Sequence, residues 1–206
     1  MAASLTRTEY GALEEAYKFF NRCLFDGQLP SCLITLNRHP NARGYFSAER
    51  FGHRQQPQHT DEIALNPDTF LDRTDLEILS TLVHEQCHLW QHHFGKTSRG
   101  GYHNRQWASK MESIGLMPSS TGAPGGKRTG QSMTHYVLPG GEFEQAALGL
   151  LATGFQLHWQ SPAGLRKNAT PSKVKYSCPV CGQNAWAKPQ AHLLCGNCTL
   201  IMELQG

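Results

Sequence analysis

The run His84-Glu85-Gln86-Cys87-His88 constrains this chain more than any other feature, because it makes chemical sense only on a helix. Residues four apart on a helix lie about 40° apart around the axis and roughly 6 Å along it, so His84 and His88 can converge on one metal ion. Glu85 then stands beside the water that the metal activates. Zinc brings the pKa of such a water toward neutrality, and the carboxylate takes the proton as the oxygen attacks a peptide carbonyl. The flanking residues supply the helix. Leu76, Ile78, Leu79, Leu82 and Val83 precede the run at helix-compatible spacing, and Leu89 and Trp90 follow it. Asp72, Thr74 or Asp75 can cap the start and Gly95 can end it. The pattern predicts a helix from about Asp75 to about Phe94, its apolar side in the core and its histidine side lining a cleft.

A catalytic zinc of this kind takes three protein ligands and keeps one position open, so a third ligand is required. His92 lies four residues beyond His88, but His84, His88 and His92 together would span about 12 Å of helix axis, too far for one ion. His93 points to the opposite side from His84, and both it and His92 suit solvated or supporting roles. His103 follows a turn-rich break, Gly95-Lys96-Thr97-Ser98-Arg99-Gly100-Gly101, that lets the chain reverse over the first helix. His103 is therefore the expected ligand. Trp107, Met111, Ile114 and Leu116 after it suggest a second helix packed on the first. Cys87 lies about 300° around the helix from His84 and is not counted as a ligand.

These segments resemble the SprT-like metalloprotease family, whose members place the third zinc histidine about fifteen residues after the second, behind a glycine-rich turn and ahead of an aromatic-bearing helix. Here Gly100-Gly101-Tyr102-His103-Asn104 and Trp107 occupy those places, and Ala42-Arg43-Gly44-Tyr45-Phe46-Ser47 and Asp61-Glu62-Ile63-Ala64-Leu65-Asn66-Pro67 resemble the family upstream. Many members carry Gly-His-Gly around the third ligand, where this chain has Tyr102-His103-Asn104. The resemblance covers roughly residues 5 to 117 and the C-terminal cysteines. It implies a zinc endopeptidase acting on proteins bound or crosslinked to DNA.

Cys178-Pro179-Val180-Cys181 and Cys195-Gly196-Asn197-Cys198 are two C-x-x-C knuckles separated by thirteen residues. Four thiolates within tetrahedral reach make a structural zinc site, favoured over a disulfide or redox pair by the matched spacing. Gly182 and Gly196 allow tight turns that bring backbone amides toward sulfur. Short strands around Ala185 to Ala187 and His192 to Leu194 would complete a zinc ribbon, with which SprT-like proteins often end. Two zinc ions are thus expected, one catalytic on His84, His88 and His103 and one structural on Cys178, Cys181, Cys195 and Cys198.

The expected fold class is α+β. A minimal zincin-like domain over residues 1–160 consists of an N-terminal helix, a small sheet, the H-E-x-x-H helix and a ligand-bearing second helix; a linker at 161–175 leads to a ribbon at 176–206. Thr8 to Phe25 reads as an amphipathic helix with Tyr10, Leu13, Tyr17, Phe20 and Leu24 on one side. Leu33 to Asn37, Gly44 to Ala48 and Glu62 to Asn66 read as strands around a polar loop, Gln55 to Asp61. Either Glu62 to Asn66 or Gly44 to Ser47 would be the edge that pairs with an extended substrate. Residues 118–141 form a Gly-, Ser- and Thr-rich loop that is either a plain linker or a functional loop near the cleft, with Lys127 and Arg128 facing phosphate or substrate. Tyr102 and Tyr136 are candidate oxyanion donors or packing residues. Glu142 to Leu151 reads as helical.

Residues 1–160 carry 14 Lys+Arg against 15 Asp+Glu, while 161–206 carry 5 against 1, so the positive excess lies in the tail. DNA, single-stranded DNA included, is the polyanion to test there alongside protein substrates, and a merely soluble basic tail is the alternative. Cys23, Cys32 and Cys87 lack partner spacing and read as small buried hydrophobes in a reducing, intracellular compartment, in the nucleoid or nucleus if DNA-associated. No apolar stretch reaches membrane-spanning length, Met1 to Thr8 lacks the pattern of a signal peptide, and no heptad specifies an oligomer. The competing function is a nucleic-acid-binding adaptor on an inactive zincin scaffold. Glu85 discriminates, since a scaffold has no use for the base.

Overall fold

Apolar residues at three- and four-residue intervals make the first helix, α1 (Leu5–Leu24), which buries Leu13, Ala16, Tyr17, Phe20 and Leu24. It starts three residues earlier than the sequence suggests. Tyr10 is exposed and Glu9 is buried in its stead, because Glu9 stands in line with Leu13 and its Oε2 accepts the His158 backbone N–H at 3.3 Å. The computed structural model describes residues 4–162 and 173–205. Among these, the chain is mixed α+β with four α-helices and small sheets. It divides into two compact units, Met1–Pro162 and Ala163–Gly206.

In the first unit, β1 (Leu33–Leu36), β2 (Gly44–Gly52) and β3 (His59–Leu65) form a sheet of order β1-β3-β2. β3 is parallel to β1 and antiparallel to β2. It is therefore central, and Gly44–Ser47 lies on an edge strand. β2 and β3 outrun their expected ends, pairing to Gly52↔His59 past a bulge between Ser47 and Phe51. The bulge is held by Asp61, whose Oδ1 accepts the Glu49 N–H at 2.8 Å, with Glu49 at φ 49°. Backbone pairing carries the ribbon beyond the apolar core, and part of the polar stretch expected to be a loop becomes strand.

α2 (Asp75–Phe94) has the expected bounds, and Thr74 caps it. Thr74 Oγ1 accepts the Glu77 N–H at 3.3 Å while Glu77 Oε2 accepts the Thr74 N–H at 2.8 Å, a reciprocal pair that satisfies two free helix amides. Its burial is not one-sided: every residue from Ile78 to Cys87 is buried, because α1, β2, β3, α3 (Arg105–Ser113) and α4 (Glu142–Ala152) all contact it. Leu79, Leu82, Leu89, Met111 and Phe143 are fully enclosed, each apolar side chain contributing roughly 1.5–3 kcal/mol.

Leu116, expected on the second helix, begins β4 (Leu116–Ser119), which pairs with β5 (Thr134–Val137). The Gly- and Ser-rich segment between them is laced by its own bonds, Ser120 N–H to Lys127 O at 2.9 Å among them.

In the second unit, β6 (Val174–Ser177), β7 (Asn184–Ala187) and β8 (Glu203–Leu204) form a sheet of order β7-β6-β8 over Tyr176, Cys178, Cys195 and Met202. The strand expected at His192 to Leu194 is only an isolated bridge, Leu194↔Ile201. The partner of β7 is β6, which starts within the segment read as linker. The rest of that linker, 163–172, lies outside the described residues. Among the described residues no helix is long and apolar enough to cross a membrane.

Candidate metal centres

α2 presents His84 and His88 one turn apart, and the reversal after Gly95 returns His103 to the same place. One ligating nitrogen from each lies within 4.8 Å of the others. Trp107, fully buried on the first turn of α3, touches all three rings: stacked on His88 at 5.2 Å and 17°, edge-on to His84 at 4.9 Å and to His103 at 4.4 Å. Asn104 resolves the departure from Gly-His-Gly, because at φ −89° it needs no glycine. Its Oδ1 instead caps α3 by accepting the Trp107 N–H at 3.1 Å and takes a second bond from Gln91 Nε2 at 2.7 Å.

The β4–β5 segment completes the site in a way sequence reading missed. His135 is half-buried, with Nδ1 3.1 Å from His84 Nδ1 and Nε2 2.8 Å from Ser80 Oγ. Ser80 donates its hydroxyl to Glu77 O at 2.7 Å, so Ser80 Oγ accepts from His135 Nε2–H. His135 Nδ1 then accepts from His84 Nδ1–H, which leaves the Nε2 lone pair of His84 for a metal. His103 is set likewise, its Nδ1–H directed at Gly130 O at 3.3 Å while Gly130 and His103 bond each other through the backbone. Nothing in the spacing marks His135. The Thr134-His135-Tyr136-Val137 strand pattern after a glycine-rich stretch was the available signal.

Burial, reinforced by the neighbouring histidines, holds His84 well below the ordinary imidazole range. It pushes His88 and His135 down to about 3 and lowers His103. Each shift favours the neutral imidazole, which is the ligating form. Glu85 is buried beside them. Desolvation pushes its carboxyl up to about 8, opposed by the nearby Phe46 backbone amide. Gly44 is needed here because a Cβ would stand 2.8 Å from Ala64 O and 3.3 Å from Glu85 Oε1. The site opens into a cleft of about 980 Å³, walled by the β2 edge, the turn before His103 and residues 131–135.

Tyr102 lines this cleft, whereas Tyr136 is paired within β5 opposite Met117. Ser120 brings the 118–141 segment to the cleft, but Arg128 is ion-paired with Glu112 instead of facing it. Cys87 is in the core, its thiol raised by burial. Cys32 is half-buried and pushed up to about 12 by desolvation. Cys23 is exposed, contrary to expectation.

The donor chemistry fits zinc. Three neutral imidazoles within reach of one ion, with an open side, match a three-ligand site. A model of the SprT-like family matches residues 13–130. The chain belongs to the SprT-like family. A protein of Salmonella typhimurium described as "Uncharacterized protein in mucB 3'region" is 45% identical over 64 residues, which is 31% of this chain and 86% of that protein. The SprT-like match contains His84, Glu85, His88, His103 and Trp107, and ends before His135 and before the second unit.

In that second unit of the SprT-like chain, Cys178, Cys181, Cys195 and Cys198 bring their sulfurs within 4.8 Å of one another. Cys181 and Cys195 Sγ are 3.6 Å apart, far beyond a disulfide bond of about 2.05 Å. Zinc–sulfur distances of about 2.3 Å place neighbouring thiolates roughly 3.8 Å apart. The knuckles repeat one geometry: Gly182 N–H bonds Cys178 O at 3.0 Å, and Thr199 N–H bonds Cys195 O at 2.8 Å. Thr199 at φ 55°, and not Gly196, is the counterpart of Gly182 at φ 70°. Backbone N–H groups of Cys181 and Val180 lower the Cys178 thiol to about 6, toward its metal-binding form.

Proposed function

We propose that this SprT-like chain is a zinc-dependent endopeptidase, built on a minimal zincin-like domain with a C-terminal zinc ribbon. His84, His88 and His103 would hold the catalytic zinc, and the four cysteines a structural one. The observation that carries the reading is Glu85, a carboxylate kept buried beside three converging imidazoles at the wall of the cleft. A buried carboxyl is costly, and a scaffold without chemistry has no reason to keep one there.

Zinc bound at the histidines would supply Lewis acidity, polarising a peptide carbonyl, acidifying an attacking water and drawing Glu85 toward its ionised form. Glu85 takes up that proton at a carboxylate oxygen and returns it to the leaving amine. Trp107, His135 and Gly130 keep the imidazoles oriented. The β2 edge offers free backbone groups along the cleft, so an extended substrate can add as a strand, with little side-chain preference.

Family membership supports DNA-bound or DNA-crosslinked proteins as substrates, and the positive excess of 161–206 supports a DNA contact by the second unit. The unpaired cysteines fit an intracellular, reducing location. The test is cleavage of a protein crosslinked to DNA by wild type and Glu85→Gln, each with and without single-stranded DNA and with zinc content measured. Cleavage that requires Glu85 supports the reading. A zinc-loaded wild type that cuts nothing sinks it and leaves the adaptor.

A further inference from the structure

We propose that Asp61, His92 and His93 form a further metal site, for a divalent transition metal such as zinc, where the end of α2 meets the β2 bulge. One ligating atom from each lies within 4.8 Å of the others. Two imidazoles and one carboxylate suit zinc, nickel or copper, whereas calcium and magnesium require shells of oxygen.

The site is arranged in advance by the fold. Asp61 is 5% exposed; its Oδ1 is committed to the Glu49 amide of the bulge and its Oδ2 lies 2.7 Å from His93 Nε2. That hydrogen bond alone would staple the helix end to the bulge. It does not account for His92, whose ring lies 4.8 Å from that of His93 and offers a nitrogen at the same point. Ligands of one tetrahedral zinc at about 2.0–2.2 Å stand roughly 3.4 Å apart, so a small rotation of the exposed His93 ring admits the ion. His93 is exposed and His92 half-buried, which leaves the remaining positions open to water.

The site is distinct from the His84–His88–His103 centre and shares no residue with it. His92 is one helical turn past His88 and its ring lies 5.8 Å from Phe46, a β2 residue that lines the cleft with Glu85. An ion held here would pin β3, and through the Glu49 amide the bulge of β2, to the end of α2. The inference does not require the catalytic centre to hold zinc.

The experiment counts zinc bound per full-length chain across buffered free-zinc concentrations for wild type, His92→Ala, Asp61→Asn and His103→Ala. Wild type takes up one equivalent that His92→Ala and Asp61→Asn lose or bind at least tenfold more weakly, and His103→Ala retains that equivalent while losing another. His92→Ala trims a half-buried ring and Asp61→Asn keeps an oxygen for the Glu49 amide, so both fold, as circular dichroism checks. Uptake equal to wild type in both variants overturns the site. Failure of the catalytic-zinc reading shows separately, as unchanged zinc uptake on His103→Ala.

Discussion

The histidine centre and the cysteine centre differ in what surrounds them. The first is a polar hollow inside a large apolar core that runs from Leu13 to Phe155, while the second is held by a core of little more than Tyr176, Cys178, Cys195 and Met202, two of which are themselves candidate ligands. In the first unit the fold makes the site. In the second the site has to make the fold, since so small a unit cannot offset its chain entropy by burial alone.

Metal removal gives the largest expected difference. Chelation, or Cys178→Ser, unfolds the second unit, because structural zinc supplies roughly 10–16 kcal/mol of apparent binding energy in such knuckles. The first unit keeps its helices and its cooperative thermal transition under the same chelation. Circular dichroism and limited proteolysis distinguish the two, and simultaneous melting of both units breaks the comparison. Next, Glu85→Gln lowers cleavage by about 10²–10⁴-fold with zinc content and melting temperature preserved, as read by single-turnover assay and atomic emission. Trp107→Ala follows: loss of the ring beneath three imidazoles costs about 3–5 kcal/mol of stability, seen in denaturant titration, with weaker zinc binding besides. The smallest effect is that of His135→Phe, which leaves the fold nearly unchanged and weakens zinc at the histidine centre by roughly 10–100-fold in a competition titration. A mutant that binds as wild type does would mean that the Ser80–His135–His84 chain is packing only.

The parts legible in sequence share a physical reason. α2 is legible because its cap, its periodicity and its stop are all local, and His103 because a spacing and a turn mark it. Leu116 departs from the expected helix because an apolar residue at a helix boundary fits either neighbouring element, and Tyr10 departs from the expected buried face because Glu9 takes the inward position. His135 was invisible for a different reason. It reaches His84 only through the β4–β5 pairing, a tertiary event that no local pattern encodes, and the strand β6 lay hidden because its partner comes after a knuckle. The edge strand stayed ambiguous until the sheet order placed β3 at the centre.

The hydrogen-bond chain from Glu77 O through Ser80 and His135 to His84 has a consequence for how such a protein diverges. The nitrogen that His84 offers is decided by the β4–β5 hairpin, whose second strand carries His135, sits past the end of the family match and contributes no ligand. Affinity at the centre can therefore drift or be adjusted by changes in that hairpin alone, leaving the ligands untouched, so two relatives with identical H-E-x-x-H helices need not hold their metal equally well.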